Sequence, residues 1–250
     1  MMDLFLKYGK KISPLDDYKL NIYSQNGEDG LLLELLKRIK NLAKITVVEF
    51  GAWDGIYLSN TFSLVEKGAD AIFIEGEKDR FKDLLLTCQK YNNIIPVLAF
   101  VDKEVSSKNS LDSILKSVNC ICDFDVLSID IDSYDLDIWE SLSQFKPKIV
   151  VIEINSQFKP GQFIRHSQSG SGNSFSSTLE VGHNKGYTLV SHIGNMIFVR
   201  NDLMNFVGLP DQYISDQNKL FNNFWADMPF YIKFYDRIVS FIMKKILKIS

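Results

Sequence analysis

Between residues 45 and 199 the chain alternates apolar runs with segments of helical periodicity, and few folds accept that order. The apolar runs fall at 45–50, 71–75, 94–101, 124–131 and 148–154. Helical patterns follow Gly30 and occupy 79–91, 111–118, 136–145 and 173–185. Near-continuous apolar strands of this length are those covered on both faces, so the units stack into a parallel sheet with right-handed crossovers and helices on either side. Gly186–Val190 and Asn195–Val199, with Gly194 between them, read as a hairpin that adds an antiparallel strand. The expected architecture is α/β and doubly wound, preceded by an N-terminal extension over 1–22 and followed by an appendage over 201–250.

At 250 residues, with 46% hydrophobic and 24% charged side chains, the chain suits one domain with modest extensions. A formal charge of −3 and a pI near 5.7 argue against a general nucleic-acid binder, which needs a cationic field to displace counterions. Cys88, Cys120 and Cys122 are expected as buried, reduced thiols, since Cys-x-Cys is too short for a usual zinc knuckle. Met1–Lys7 shows no signal-peptide apolar region, and no apolar run reaches the length of a membrane span, so the expected location is cytoplasmic.

The strand at 45–50 ends in Gly51-Ala-Trp-Asp-Gly55 and is expected to lead directly into a helix. The two glycines allow a sharp turn and close approach of a ligand to the main chain, while Glu49 and Asp54 place carboxylates beside it. The other strands end similarly: Glu75 on the second, Asp102 on the third, Asp130 and Asp132 on the fourth, Glu153 on the fifth. Open α/β sheets bind ligands at the carboxyl ends of their strands. Six acidic groups along that edge repel one another unless a cation or hydroxyl donors lie between them. A dinucleotide, with its diphosphate, wants Gly-x-Gly-x-x-Gly, which this turn lacks. S-adenosylmethionine has no phosphate and carries a sulfonium and an ammonium, and Glu75 is then placed to accept both hydrogens of its ribose diol.

Four blocks carry a family resemblance: Tyr23-Ser-Gln-Asn-Gly-Glu-Asp-Gly30, Val48–Gly55 with Ser59-Asn60-Thr61, Leu127–Asp132, and Lys146–Asn155. In this order, over about 23–200, the chain resembles the FkbM-type methyltransferases. The resemblance implies a class I, Rossmann-like domain with a seven-stranded sheet whose last strand is antiparallel. It implies S-adenosylmethionine as cofactor and a sugar, polysaccharide or natural-product hydroxyl as the methyl acceptor. By position, Glu49, Gly51 and Gly55 hold the methionine end, Glu75 the ribose, Asp102 and its neighbours the adenine edge, and Asp130 lies by the methyl group. Gln25, Asp54 and Asn60, within the same blocks, complete the expected cofactor set. Ser133-Tyr134 departs from the family pattern, where glycine or asparagine is usual.

Methyl transfer to a hydroxyl is an in-line displacement that needs alignment and removal of a proton. Two arrangements stay open. In one, Asp130, Asp132 and Glu153, with Asn155 adjacent, hold Mg²⁺ or a similar hard cation, and a carboxylate or His166 acts as base. In the other no metal is present and Asp130 orients the cofactor amine. His166 is the best placed of three histidines, the others being His183 and His192, because it lies in a long Gly- and Ser-rich loop over 155–172 that is expected to cover the acceptor. Asp132 and Asp135 are equally suited to capping the next helix. A module that binds the cofactor or a nucleotide sugar without turnover is the rival class, and a nicotinamide-dependent oxidoreductase a more distant one. In the tail, Lys233, Arg237, Ser240, Lys244 and Lys248 lie opposite Phe234, Tyr235, Ile238, Ile242, Ile246 and Ile249 at helical spacing. Such a helix docks on the domain, joins a homodimer or lies on a membrane surface.

Overall fold

The computed structural model describes residues 11–40 and 44–223, so the amphipathic segment at 233–249 lies outside the described residues. Helix α1 (Glu28–Lys40) precedes a regular alternation: β1 (Thr46–Phe50), α2 (Phe62–Glu66), β2 (Asp70–Glu75), α3 (Lys78–Cys88), β3 (Ile94–Leu98), α4 (Leu111–Ser117), β4 (Val126–Ile129), α5 (Asp135–Ser141) and β5 (Ile149–Glu153). Then follow α6 (His166–Ser169), α7 (Phe175–Asn184), the hairpin β6 (Tyr187–Ile193) and β7 (Asn195–Arg200), and the short helices α8 (Met204–Val207) and α9 (Asp211–Ile214). The seven strands form one sheet in the order β3-β2-β1-β4-β5-β7-β6. The five βα strands pair in parallel, and β7 enters antiparallel between β5 and β6. This is the expected doubly wound, Rossmann-like sheet with its antiparallel last strand.

Strand identity follows from two-sided burial. Val47, Val48, Phe50, Leu127, Ile129 and Ile149–Ile152 are all within the core, as the unbroken apolar runs require. In α1, Leu31, Leu32, Leu35 and Leu36 share one face and are fully buried. Both flanking segments pack on the same core. Leu15, in a 3₁₀ turn over Pro14–Tyr18, is buried, and a Cβ on Gly30 would lie 2.0 Å from the Tyr18 carbonyl oxygen, so that turn sits hard against α1. Arg38 donates to the Val207 carbonyl, and the Tyr213 hydroxyl to the Ile12 carbonyl.

Three expectations change. The turn after β1 does not lead directly into a helix, because residues 51–61 first form a cleft wall and α2 begins only at Phe62. The third and fourth apolar runs end as strands at Leu98 and Ile129, so Asp102 and Asp130 belong to the loops that follow. The cysteines are free thiols but not buried: Cys122 is exposed, and Cys88 and Cys120 are half-buried. Among the described residues, no helix is long and apolar enough to cross a membrane.

At the edge of the sheet away from these loops, Asp125 is completely buried and locks three strands together. Its carboxylate accepts from the Thr46 amide at 2.8 Å and from Lys148 Nζ at 3.1 Å, tying the start of β4 to the starts of β1 and β5. Removing one partner of a buried ion pair strands the other. Asp125→Ala is expected to lower unfolding free energy by about 3 kcal/mol, read from urea titrations at neutral pH.

Candidate functional site

A cavity of about 750 Å³ opens at the carboxyl ends of β1, β2, β3 and β4. All six strand-end carboxyls named from the sequence, Glu49, Glu75, Asp102, Asp130, Asp132 and Glu153, line it. Gly51 makes this geometry feasible. Its φ of +80° is a left-handed conformation, and a Cβ there would lie 2.1 Å from the Asp130 carbonyl oxygen, so only glycine lets the β1 loop pass this close to β4.

The chain supplies its own answer to the carboxylate repulsion. Glu49 is buried and accepts from Ser59 Oγ at 3.0 Å, from the Thr61 amide at 3.1 Å and from Thr61 Oγ1 at 2.5 Å. Burial pushes its pKa up to about 7 against the pull of these donors. Glu75 accepts main-chain hydrogens from Trp53 at 2.8 Å and Glu77 at 2.7 Å, one on each oxygen, and so is held rigidly at the rim with lone pairs to spare. Asp102 is fastened by the Glu104 amide at 3.0 Å, which holds its pKa below the usual range.

Asp130 and Glu153 solve the problem differently. They sit at the ends of adjacent paired strands and line both cavities, close enough that their titrations are linked. Desolvation raises both above the usual carboxylate range; the charges of Asp135 and Asp132 add to this at Asp130, and the charge of Asp130 adds to it at Glu153. The metal expectation finds no support. Among the described residues, no group of three or more His, Cys, Asp or Glu side chains is arranged to hold a metal ion. Asp132 is exposed on a left-handed turn with φ of +57°.

A second cavity of about 440 Å³ meets the first at Gln25, Leu58, Asp130, Asp132 and Glu153. Its remaining wall is largely uncharged and polar, with Asn26, Asn60, Asn155, Ser156, Gln157, Ser171, Asn173 and Asn195. The loop over 155–172 contributes from both its ends, with Asn155 to Gln157 and Gly170 to Gly172. Asn155 Nδ2 donates to the Ser171 carbonyl at 2.7 Å and closes that loop on itself.

Gln25 thus touches both cavities, and the Tyr23–Gly30 block does two jobs. Asp29 gathers the Ile22, Tyr23 and Ser24 amides, each at 2.8 Å, leaving Gln25 and Asn26 on the cavity wall. Asn60 lines the second cavity rather than the first, and donates to Ser128 Oγ at 3.1 Å. Asp54 and Gly55 line neither. Asp54 accepts from the Ile56 and Tyr57 amides and shapes the turn, while a Cβ on Gly55 would meet Leu84 and Phe73 at 2.9 Å. His166 also lines neither cavity: its Nδ1 accepts from the Gly172 amide at 3.3 Å, which secures the covering loop. Asp135 takes the Ile131 and Ser133 amides, both at 2.8 Å, and so fixes the turn that Ser133-Tyr134 makes unusual.

Other site residues had no clear mark in the sequence. Trp53 and Leu58, on the walls of the first cavity, have left-handed φ of +46° and +58°, a strained state for such side chains that Asp132, already named among the acidic residues, shares at +57°. Trp53 is held by Arg80 over its ring and by Nε1 donating to Asp83 at 3.2 Å. Phe100, in the run before Asp102, stands 70% exposed in the first cavity, against Gly76, whose Cβ would be 2.5 Å from its ring. An exposed aromatic beside a half-polar cleft is the one signal that marks it.

No family model and no curated protein matches the chain. Among solved structures, it aligns with the CurJ carbon methyltransferase at 11% identity and a TM-score of 0.48, covering 71% of this chain and 56% of that one. The citrinin polyketide synthase CMeT domain aligns at 11% identity and 0.47, over 69% and 51%. The N-terminal domain of EvdMO1, with SAH bound, aligns at 11% and 0.46, over 72% and 82%. The chain therefore spans about half the length of the first two. Likenesses this distant carry no weight for chemistry, which rests on the site.

The raised pKa of the Glu153 carboxyl has a consequence of definite sign. A carboxyl whose pKa folding raises binds more protons folded than unfolded, so its stabilisation is complete below the ordinary carboxylate range and is lost as pH rises through the folded value. Glu153→Gln removes that loss. Its urea midpoint, relative to the wild type, is expected to be higher at pH 8 than at pH 5.

Proposed function

We propose that the chain is an S-adenosylmethionine-dependent O-methyltransferase of the FkbM type, with a sugar or related polyhydroxylated molecule as acceptor. The observation that carries this reading is the pair of joined cavities, one carboxylate-rich and one amide- and hydroxyl-rich, meeting at Asp130 and Glu153.

The first cavity suits the cofactor's chemistry. Among the described residues its acidic lining faces only Arg80 and Lys103 as cationic side chains, which favours a cationic ligand over a diphosphate. Glu75, pinned through both oxygens, accepts from a ribose diol, and Phe100 offers a face for the adenine ring beside Asp102. The Gly51 loop, passing against the Asp130 carbonyl, leaves main-chain room for the methionine end. When bound, S-adenosylmethionine supplies an electrophilic methyl group on its sulfonium. The rest is the work of the chain's own groups. The wall of the second cavity holds the acceptor hydroxyl, and the Asp130–Glu153 pair keeps one carboxylate oxygen unprotonated to take its proton as the oxygen–methyl bond forms. A pair raised toward neutral pH accepts that proton more readily than an ordinary carboxylate.

Calorimetric titration with S-adenosylhomocysteine tests the cofactor half, and Glu75→Ala is expected to weaken binding at least tenfold through loss of charge-assisted bonds. Incubation with S-adenosylmethionine and a panel of nucleotide sugars and glycans tests turnover by S-adenosylhomocysteine release. Asp130→Asn should cut that release about a hundredfold while binding persists. Binding without turnover on any acceptor points to a non-catalytic module. Tight NAD binding with none of S-adenosylhomocysteine would overturn the reading altogether.

A further inference from the structure

Methyl transfer as described makes no use of His192, one of several buried ionisable groups outside its machinery. His192, on β6, is 3% exposed and packs against the rings of Phe175 and Phe221, each centred 5.4 Å away. Its Nδ1 is 2.9 Å from the main-chain nitrogen of Asn222, and its Nε2 is 3.0 Å from Ser156 Oγ. An amide N–H can only donate, so Nδ1 must be the unprotonated nitrogen. Burial drives the imidazole pKa down to about 3, which keeps the ring neutral with its single proton on Nε2.

The direction of the second bond follows. Nε2–H donates, and Ser156 Oγ accepts. A serine activated as a nucleophile needs the reverse arrangement, with the imidazole accepting the hydroxyl hydrogen, so this pair is no hydrolytic dyad. The Ser156 hydrogen is left without a taker among the described residues, on a buried side chain that lines the second cavity.

We infer that Ser156 binds the acceptor by donating this hydrogen to one of its oxygens, and that His192, oriented by the Asn222 main chain, is the positioning residue that keeps the hydroxyl a donor. The inference rests on the second cavity being the acceptor site of the methyl-transfer reading. It adds a chemical demand to that reading: the acceptor presents an oxygen lone pair at Ser156, such as a neighbouring hydroxyl, ring or glycosidic oxygen, besides the hydroxyl that reacts at Asp130. It also assigns a task to the chain beyond 200, where the family resemblance ends.

The tautomer is read on ligand-free protein carrying ¹⁵N-labelled histidine, by long-range ¹H–¹⁵N correlation. His192 is expected as the Nε2–H form. An Nδ1–H tautomer or an imidazolium at neutral pH would overturn the inference, whatever the protein binds. The same spectrum is then followed on S-adenosylhomocysteine-loaded protein during titration with methyl glycosides of common hexoses and 6-deoxyhexoses and with UDP-glucose, at millimolar concentrations. At least one is expected to shift the His192 ring signals saturably. Ser156→Ala should weaken that ligand about tenfold with S-adenosylhomocysteine affinity unchanged, and Ser156→Thr should restore it. A glycoside bound equally well by Ser156→Ala, or no shift from any panel member, rejects the assignment. Failure to bind S-adenosylhomocysteine instead rejects the methyl-transfer reading, with the tautomer result still standing.

Discussion

The site depends on one close approach. The main chain at Gly51 passes the carbonyl of Asp130 at a distance that no side chain could tolerate, so the loops leaving β1 and β4 diverge from a common point. Everything in the cleft is placed relative to that contact. To one side the 51–61 loop folds back, pinned by Ser59 and Thr61 on Glu49 and by Trp53 on Glu75. To the other, Asp130 is delivered to Glu153 across the β4–β5 pairing, in which Ile129 lies opposite Ile152. A strand register set by apolar burial thus becomes a carboxyl pair set by adjacency.

The sheet was largely legible in the sequence because burial on both faces leaves an unbroken apolar signature, and such runs fell at five of the seven strands with the hairpin supplying two more. Strand ends were less legible. Ile94–Val101 reads as one run, yet Phe100 turns outward into the cleft after Leu98, because period and composition do not register where pairing stops. The acidic edge was visible as six carboxylates, and all six line the first cavity. What composition does not encode is how each is satisfied. Hydroxyl donors for Glu49 lie ten and twelve residues away, and the partner of Asp130 lies on the next strand. Proximity of acidic residues in the sequence suggested a metal, whereas among the described residues no three or more of them are arranged to hold one.

His166 and His192 show the same limit. The loop position of His166 suggested catalysis, and the ring instead ties Gly172 into place. His192 sits in an apolar alternating strand, where nothing local distinguishes it from a core residue. Only the fold brings Ser156 and Asn222 to its two nitrogens, from 36 and 30 residues away. Polar groups in a core are specified by partners that lie far off in sequence, and a single chain read in order does not reveal them.

The insertion of β7 between β5 and β6 has a consequence for how the molecule is made. β5 is entirely apolar up to Glu153, and its outer edge is paired only by residues 195–199. As the chain emerges during synthesis, the first five strands can assemble while that edge stays open, a row of unpaired amides and carbonyls flanked by Ile and Val. The hairpin therefore also seals the nascent domain against edge-to-edge association, and truncation before residue 195 would leave the β5 edge open to another molecule.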